Sequence, residues 1–505
     1  MGGDPIGLPG KRGIRRLRPV SEAKLTAGDR RVLTRGRKRA TAPAAAGAIA
    51  LVLALALGAS VQAATYNVNK RGDHTPNNCT PADCTLREAI LTANMTLGIA
   101  DRVVLPSRKP YKLAIPGDDD GGQIGDLDIG NDRLTLVHPG KGRATVDADG
   151  VGRVFDVYSA ATFKQLVITG GAEDYGGGID VSPPGNATVT DSVVKDNHAT
   201  IVGGGISTKA GAPLRVVHSR ILGNRVDGYG GGVYAHDTLT MIGSLVAGNR
   251  TDLSGPGGLG GWGGGVNIIN NTGPPSKIKN TSIIGNRTGT TPSSNGGGGL
   301  VADLGVVRVN GSTIANNRTG GTGGGIEVDG AEPFSIVNST VANNRSGETG
   351  GGIHLECCEV KMNSVTVVRN RANTDGIGSE AGGGIYAMGW PFHVENSLIA
   401  LNTLSPLMAG NPPVKNDCSS TDPLLSLGHN LLSTRSLCDG FDGPGDLVRG
   451  RPKIGRLEKN GGPTETIALK RGSAAIGKAH KPSAPGRDQR GRKRDNHPDI
   501  GAFER

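Results

Sequence analysis

A Gly-Gly-Gly triplet closed by a branched aliphatic residue returns eight times between Gly170 and Asn402, and no other feature of the chain restricts its fold as much. The closing residues are Ile179, Ile206, Val233, Val266, Leu300, Ile326, Ile353 and Ile385, at intervals of 27, 27, 33, 34, 26, 27 and 32. Repeats of this length stack as a solenoid in which each unit buries its apolar side on its neighbours. A second mark runs in phase: a small polar residue, apolar residues, then Asn, usually followed by Arg, as in Ser219 to Arg225 and Ser339 to Arg345. Its Asn residues are Asn197, Asn224, Asn249, Asn286, Asn317, Asn344, Asn370 and Asn402. From a closing residue to the next Asn there are 16 to 20 positions, but from that Asn onward to the next closing residue there are 9 to 17. Length variation therefore concentrates on one side of each turn.

That asymmetry predicts an all-β, right-handed parallel β-helix of roughly eleven coils, with a fixed arc that stacks and loops that vary in water. Val306-Val307 with Val309 and Val365 with Val367-Val368 are strand-like runs. Gly and Asn tolerate tight corners, and stacked Asn side chains can form a hydrogen-bonded ladder. Both marks thus read as coil-shaping. Calcium-binding nonapeptides have a period three times shorter, and leucine-rich and collagen patterns are absent. An aromatic share of 3% suits a narrow core of Ile, Val and Leu.

The net charge of +11 does not point to nucleic acid, because residues 1–40 alone carry twelve Lys or Arg against three acidic residues. An uncharged stretch from Ala42 to Ala64 follows, with an apolar run Ile49 to Leu57 and a small-x-small site at Val61-Gln-Ala63. Residues 1–63 read as a basic leader with a secretory signal, a membrane anchor being the alternative. The expected divisions beyond it are a cap at 64–100, the β-helix at 101–402 and a small C-terminal domain at 403–505. Six cysteines are an even set for an exported chain: Cys79 with Cys84, Cys418 with Cys438, and the adjacent Cys357 and Cys358, which form a vicinal disulfide or stay as thiols.

One convincing helix starts at Thr85, where Thr85 and Glu88 make a capping box and Leu86, Ala89, Ile90 and Ala93 share one apolar face. It is placed to cover the open end of the first coil. Cys84-Thr-Leu-Arg-Glu-Ala-Ile90 resembles the Cys-Ser-Leu-Arg-Glu-Ala motif of exported bacterial β-helix proteins of pectate-lyase-like fold. Asn460-Gly-Gly-Pro-Thr464, Asp488-Gln-Arg-Gly491 and Asp499-Ile-Gly-Ala-Phe-Glu504 are similar to the choice-of-anchor domain that ends such proteins. The resemblance implies a secreted or cell-surface, adhesin-like protein with no assigned reaction.

Chemistry is sparse. Gly472-Ser-Ala-Ala-Ile-Gly477-Lys478 imitates a P-loop, but Ala479 stands where its hydroxyl belongs, so no nucleotide partner is expected. Asp118, Asp119 and Asp120, with Asp126 and Asp128 behind them, are candidate calcium ligands, though Ile129 replaces the bidentate Glu of a calcium loop. If the triplet-closing residues face inward, the next residues face outward as one column: Asp180, Ser207, Tyr234, Asn267, Val301, Glu327, His354 and Tyr386. Glu327, Asp329, His354 and Glu356 then form a patch of candidate catalytic residues, with Tyr386 beside it and Tyr234 and His236 further along as candidate binding residues. Crowded carboxylates can divide acid and base roles, but an exposed strand face is polar in any case. The expected function is therefore non-catalytic: an extended face presented to an extracellular or cell-wall polysaccharide or to another cell. The alternatives are a polysaccharide lyase or glycoside hydrolase and a structural envelope component. No cofactor is expected beyond calcium, no nucleic acid is a partner, and membrane contact would come only through a retained signal.

Overall fold

The computed structural model describes residues 62–505 apart from 75–77, 97, 118, 131–132, 253–260, 271–272, 290–295, 357, 377–381, 390–391, 407–410, 423, 436 and 438. The leader up to residue 61, Asp118, Cys357 and Cys438 thus lie outside the described residues. The rest forms a right-handed parallel β-helix. Sheet A has 13 strands, from Thr65–Asn67 to Leu425–Gly428; sheet B has 13, from Tyr111–Lys112 to Leu447–Val448; sheet C has 11, from Leu127–Ile129 to Cys418–Ser420.

Each triplet-closing residue opens a sheet C strand and lies in the core, at most 3% exposed. The rung at Ile326 shows what the triplet is for. Gly323 takes a φ of +60°, and a Cβ on Gly325 would stand 2.6 Å from the Gly352 carbonyl oxygen of the next rung and 2.8 Å from Asn344 Nδ2. Glycine is needed for the turn at the first position and for close stacking at the last. The Asn side chain that crowds Gly325 belongs to a continuous internal ladder. Each Nδ2 donates to the Oδ1 of the Asn one rung on, from Asn197 to Asn402, at 2.9–3.1 Å, and Asn402 ends the series on Asp417 Oδ1 at 3.2 Å. The small polar residue of the same mark makes a second ladder: the Ser192 amide donates to Ser219 Oγ and the Ser312 amide to Ser339 Oγ. Along the repeat the two ladders bracket the sheet B strands, such as Thr313–Ala315 between Ser312 and Asn317.

The helix, α1 (Leu86–Asn94), has its capping box in place, and Leu86, Ala89, Ile90 and Ala93 are buried. Arg87, 1% exposed, pairs with Asp73 and donates to the carbonyls of Gly122, Gly125 and Asp126. Asn94 Nδ2 donates to the Asp128 carbonyl at 2.7 Å. The cap thereby fixes the backbone of the first sheet C rung. Cys79 and Cys84 are joined ahead of the helix; Cys358 and Cys418 each take part in a disulfide as well.

Past residue 402 the sheets continue to Val448. The chain then makes an antiparallel hairpin, Ile454–Glu458 with Thr466–Leu469, and returns along the outer face of sheet B. Thr464 Oγ1 donates to the Gly311 carbonyl, Asn338 Nδ2 to that of Arg487, and the Gly501 amide to that of Asn396. A second, smaller core forms there, with Val368, Leu398 and Leu431 against Ile467, Leu469, Ile500 and Phe503. The segment Gly472–Lys478 is a run of turns with no helix after it.

Candidate functional site

Sheet C carries the outward column. In register it reads Asp128, Asp156, Asp180, Ser207, Tyr234, Asn267, Val301, Glu327, His354, Tyr386 and Ser419. The expectation of an exposed face does not hold for its centre: Glu327 and His354 are 0 and 5% exposed. The cover is the arc that precedes each triplet. Trp262, Gly296 and Thr322 are bridged from rung to rung, and a Cβ on Gly296 would lie 3.4 Å from Glu327 Cγ. The general polarity of exposed strands therefore does not explain these residues.

Beneath the arc, His354 Nδ1 lies 2.8 Å from Glu327 Oε1. Burial disfavours the charged imidazole, but Glu327, with Glu356 and Asp329 beyond it, outweighs that and holds the His354 pKa above its ordinary value. Nδ1–H therefore donates to the carboxylate. The far atoms of the pair, Glu327 Oε2 and His354 Nε2, have no hydrogen-bond partner among the described residues. The Tyr386 ring lies 5.2 Å from that of His354. Asp329 is half-buried and Glu356 exposed. Burial, then Asp303, Glu356 and Glu327, push the Asp329 carboxyl up to about 6. Burial raises Asp303 as well, against the nearby His236, and burial with Asp303 pushes Tyr234 up to about 12. Tyr234 and His236 are half-buried, their rings 6.2 Å apart. The rim thus offers Tyr234, His236, Asp303, Asp329 and Glu356, with the Glu–His pair below it.

Asp118 of the acidic loop named from sequence lies outside the described residues. Asp119 is half-buried, its Oδ1 accepting from the Ile124 amide, and Asp120 is exposed. The cluster that forms is Asp126, Asp128 and Asp156, all buried, with ligand atoms within 4.8 Å of one another. Arg153 Nη1 lies 3.1 Å from Asp126 Oδ2 and also contacts Asp156 Oδ2, which accepts from Tyr158 as well. One guanidinium thus stands among three carboxylates, and Asp128 Oδ2 and Asp156 Oδ1 have no hydrogen-bond partner among the described residues. Burial, then Asp126 and Asp156, push Asp128 up to about 8. An oxygen-only set of this kind suits a hard divalent cation such as calcium. Sequence reasoning placed Asp128 near the acidic loop and left Asp156 out; the signal was Asp-Leu-Asp-Ile129 and Phe155-Asp-Val, two first rungs that lack the glycine triplet.

Two concavities, of about 610 and 490 Å³, lie along sheet B beside the hairpin, lined by Asn316, Asn343, Arg369, Arg456 and Glu465 and by His218, Lys459 and Thr464. No protein-family model matches the chain, and no curated protein matches it in sequence.

Proposed function

We propose that this is an exported or surface-held β-helix that lays an extended polymer along its outer faces without cleaving it. One observation carries this reading: the groups fit for acid–base chemistry, Glu327 and His354, are shut under the arc. What remains accessible is a polar rim of Tyr234, His236, Asp303, Asp329 and Glu356, spread over several rungs. Many weak contacts repeated at rung spacing favour a chain-like ligand, because their effects multiply along it. The motif resemblance at both ends supports an extracellular or cell-wall polysaccharide as that ligand. A second reading, a polysaccharide hydrolase or lyase, draws on Asp329, whose raised pKa beside Asp303 and Glu356 suits general acid–base work. The deciding experiment exposes the purified chain to acidic and neutral polysaccharides, with and without calcium, and reads co-sedimentation and product release together. Co-sedimentation without products is expected. Product release that disappears in Asp329→Asn while the melting temperature holds makes the chain an enzyme.

A further inference from the structure

The Asn ladder inside the helix has an Arg ladder outside it. In six consecutive rungs the residue after the internal Asn is arginine: Arg225, Arg250, Arg287, Arg318, Arg345 and Arg371. They are paired in parallel register from one end to the other. Because Asn faces in, the following residue faces out, and stacked rungs place the six at ~4.8 Å steps. Like charges directly opposite one another are unfavourable. At one end the chain compensates: Asp252 lies 2.5 Å from Arg225 and 3.4 Å from Arg250. At the other, Arg371 donates to Ser405 Oγ. The middle three, Arg287, Arg318 and Arg345, are exposed and their guanidinium groups have no hydrogen bond or ion pair among the described residues. Alongside them runs the 610 Å³ groove, lined by Asn316, Asn343 and Arg369, each two residues before a ladder arginine, and by Arg456 from the hairpin. The groove adds Arg369 and Arg456, with Glu465 as its acidic lining residue, beside a row of arginines unpaired among the described residues, so that cations in a line outnumber the acid beside them.

We infer that this strip binds a linear acidic polysaccharide carrying one carboxylate per sugar. Guanidinium forks match carboxylates in bidentate fashion. Arginines repeated at rung spacing can engage those carboxylates of such a chain that turn toward the strip. Nucleic acid fits less well. Duplex DNA spaces its phosphates at ~3.4 Å per strand. Single strands need aromatic platforms, and the residues two before and two after each ladder arginine are Gly, Asn, Arg and Asp. The inference rests on the polymer-binding reading and names the polymer and the face.

The test measures retention of polygalacturonate, its methyl ester, neutral polysaccharides and a single-stranded DNA oligomer by the full chain at several salt concentrations. Polygalacturonate should bind, with affinity falling steeply as salt rises. The triple change Arg287→Gln, Arg318→Gln and Arg345→Gln should weaken it at least roughly tenfold while the melting temperature holds or rises. The corresponding triple change to Lys should restore part of the binding. Equal binding by the Gln variant, equal retention of the methyl ester, or tighter retention of DNA would each overturn the inference. A chain that holds a neutral polymer but not polygalacturonate sinks the ladder and leaves the polymer-binding reading standing; a chain that holds neither sinks both.

Discussion

Two columns of polar side chains on the outside of this helix are buried, and they differ in what meets them. On sheet B, Thr313, Thr340 and Thr366 lie in register under the C-terminal tail, 0 to 3% exposed. Every hydroxyl is matched: Thr313 donates to the Glu465 carbonyl, Thr340 to Gln489 Oε1, and Thr366 accepts from the Ala502 amide. On sheet C, under the arcs, Asp128, Asp156, Asn267, Glu327 and His354 each keep one polar atom without a partner. An unpaired buried polar group costs about 1–3 kcal/mol, so the second column is expensive where the first is a seam. In the tail only Arg494 Nε shares that condition. Burial alone does not distinguish a site from a seam; burial without partners does.

The largest test of this contrast is Gln489→Ala. Gln489, 2% exposed, places its Nε2 within 3.2 Å of the Ser312 and Glu465 carbonyls and of the Thr313 and Thr464 hydroxyls, while its Oε1 accepts from Thr340. Truncation removes this set, leaves the Thr340 hydroxyl without its acceptor and opens a void under the tail, at a cost of about 5 kcal/mol in all. The tail should loosen first, seen as faster proteolysis between residues 450 and 505 and earlier amide exchange there than in sheet C. An unchanged tail would mean that the smaller core of Ile467, Ile500 and Phe503 holds it alone.

On the other column, Glu327→Gln should cost less, about 3 kcal/mol, because it removes the charge and keeps the shape. The pH dependence carries the distinguishing sign. The folded His354 pKa stands above its unfolded value, so its ion pair contributes stability that is full below that unfolded value and is lost as pH rises through the folded one. Denaturation across neutral pH should show that loss in the parent chain and not in Glu327→Gln. A double-mutant cycle with His354→Gln should be non-additive; additivity would mean that the two residues do not act as a pair.

Much of this was legible in the chain. The triplets open the sheet C strands, the Asn and Ser of the second mark are internal ladders, and the capping box sits at Thr85, because each depends on residues close in sequence or on strict periodicity. The burial of Glu327 was not legible, since the arc over it is the part of each turn that varies in length. Gln489 was not either, for its partners lie up to 177 positions away with no period linking them. The arginines were visible only as followers of Asn in a mark read as coil-shaping. Register showed that they stack, and the lack of ion pairs among the described residues at Arg287, Arg318 and Arg345 set them apart from Arg225.

The smallest expected effect concerns Asp128, and it separates an orphaned group from one awaiting a ligand. Its folded pKa of about 8 stands above the ordinary 3.8, so the folded chain holds a proton that the unfolded chain has given up, and stability falls as pH rises between those values. Between pH 7 and 8.5 that loss is about 1 kcal/mol. Asp128→Asn keeps the shape and cannot ionise, so its stability should stay flat over the same interval and exceed that of the parent at pH 8.5. Calcium divides the outcomes. If Asp126, Asp128 and Asp156 hold the cation, adding it at pH 8.5 should restore the parent chain and release a proton on binding, while leaving Asp128→Asn unmoved. If calcium changes neither, the carboxyl is simply kept neutral by its surroundings, and the first rungs of sheet C belong with the seam.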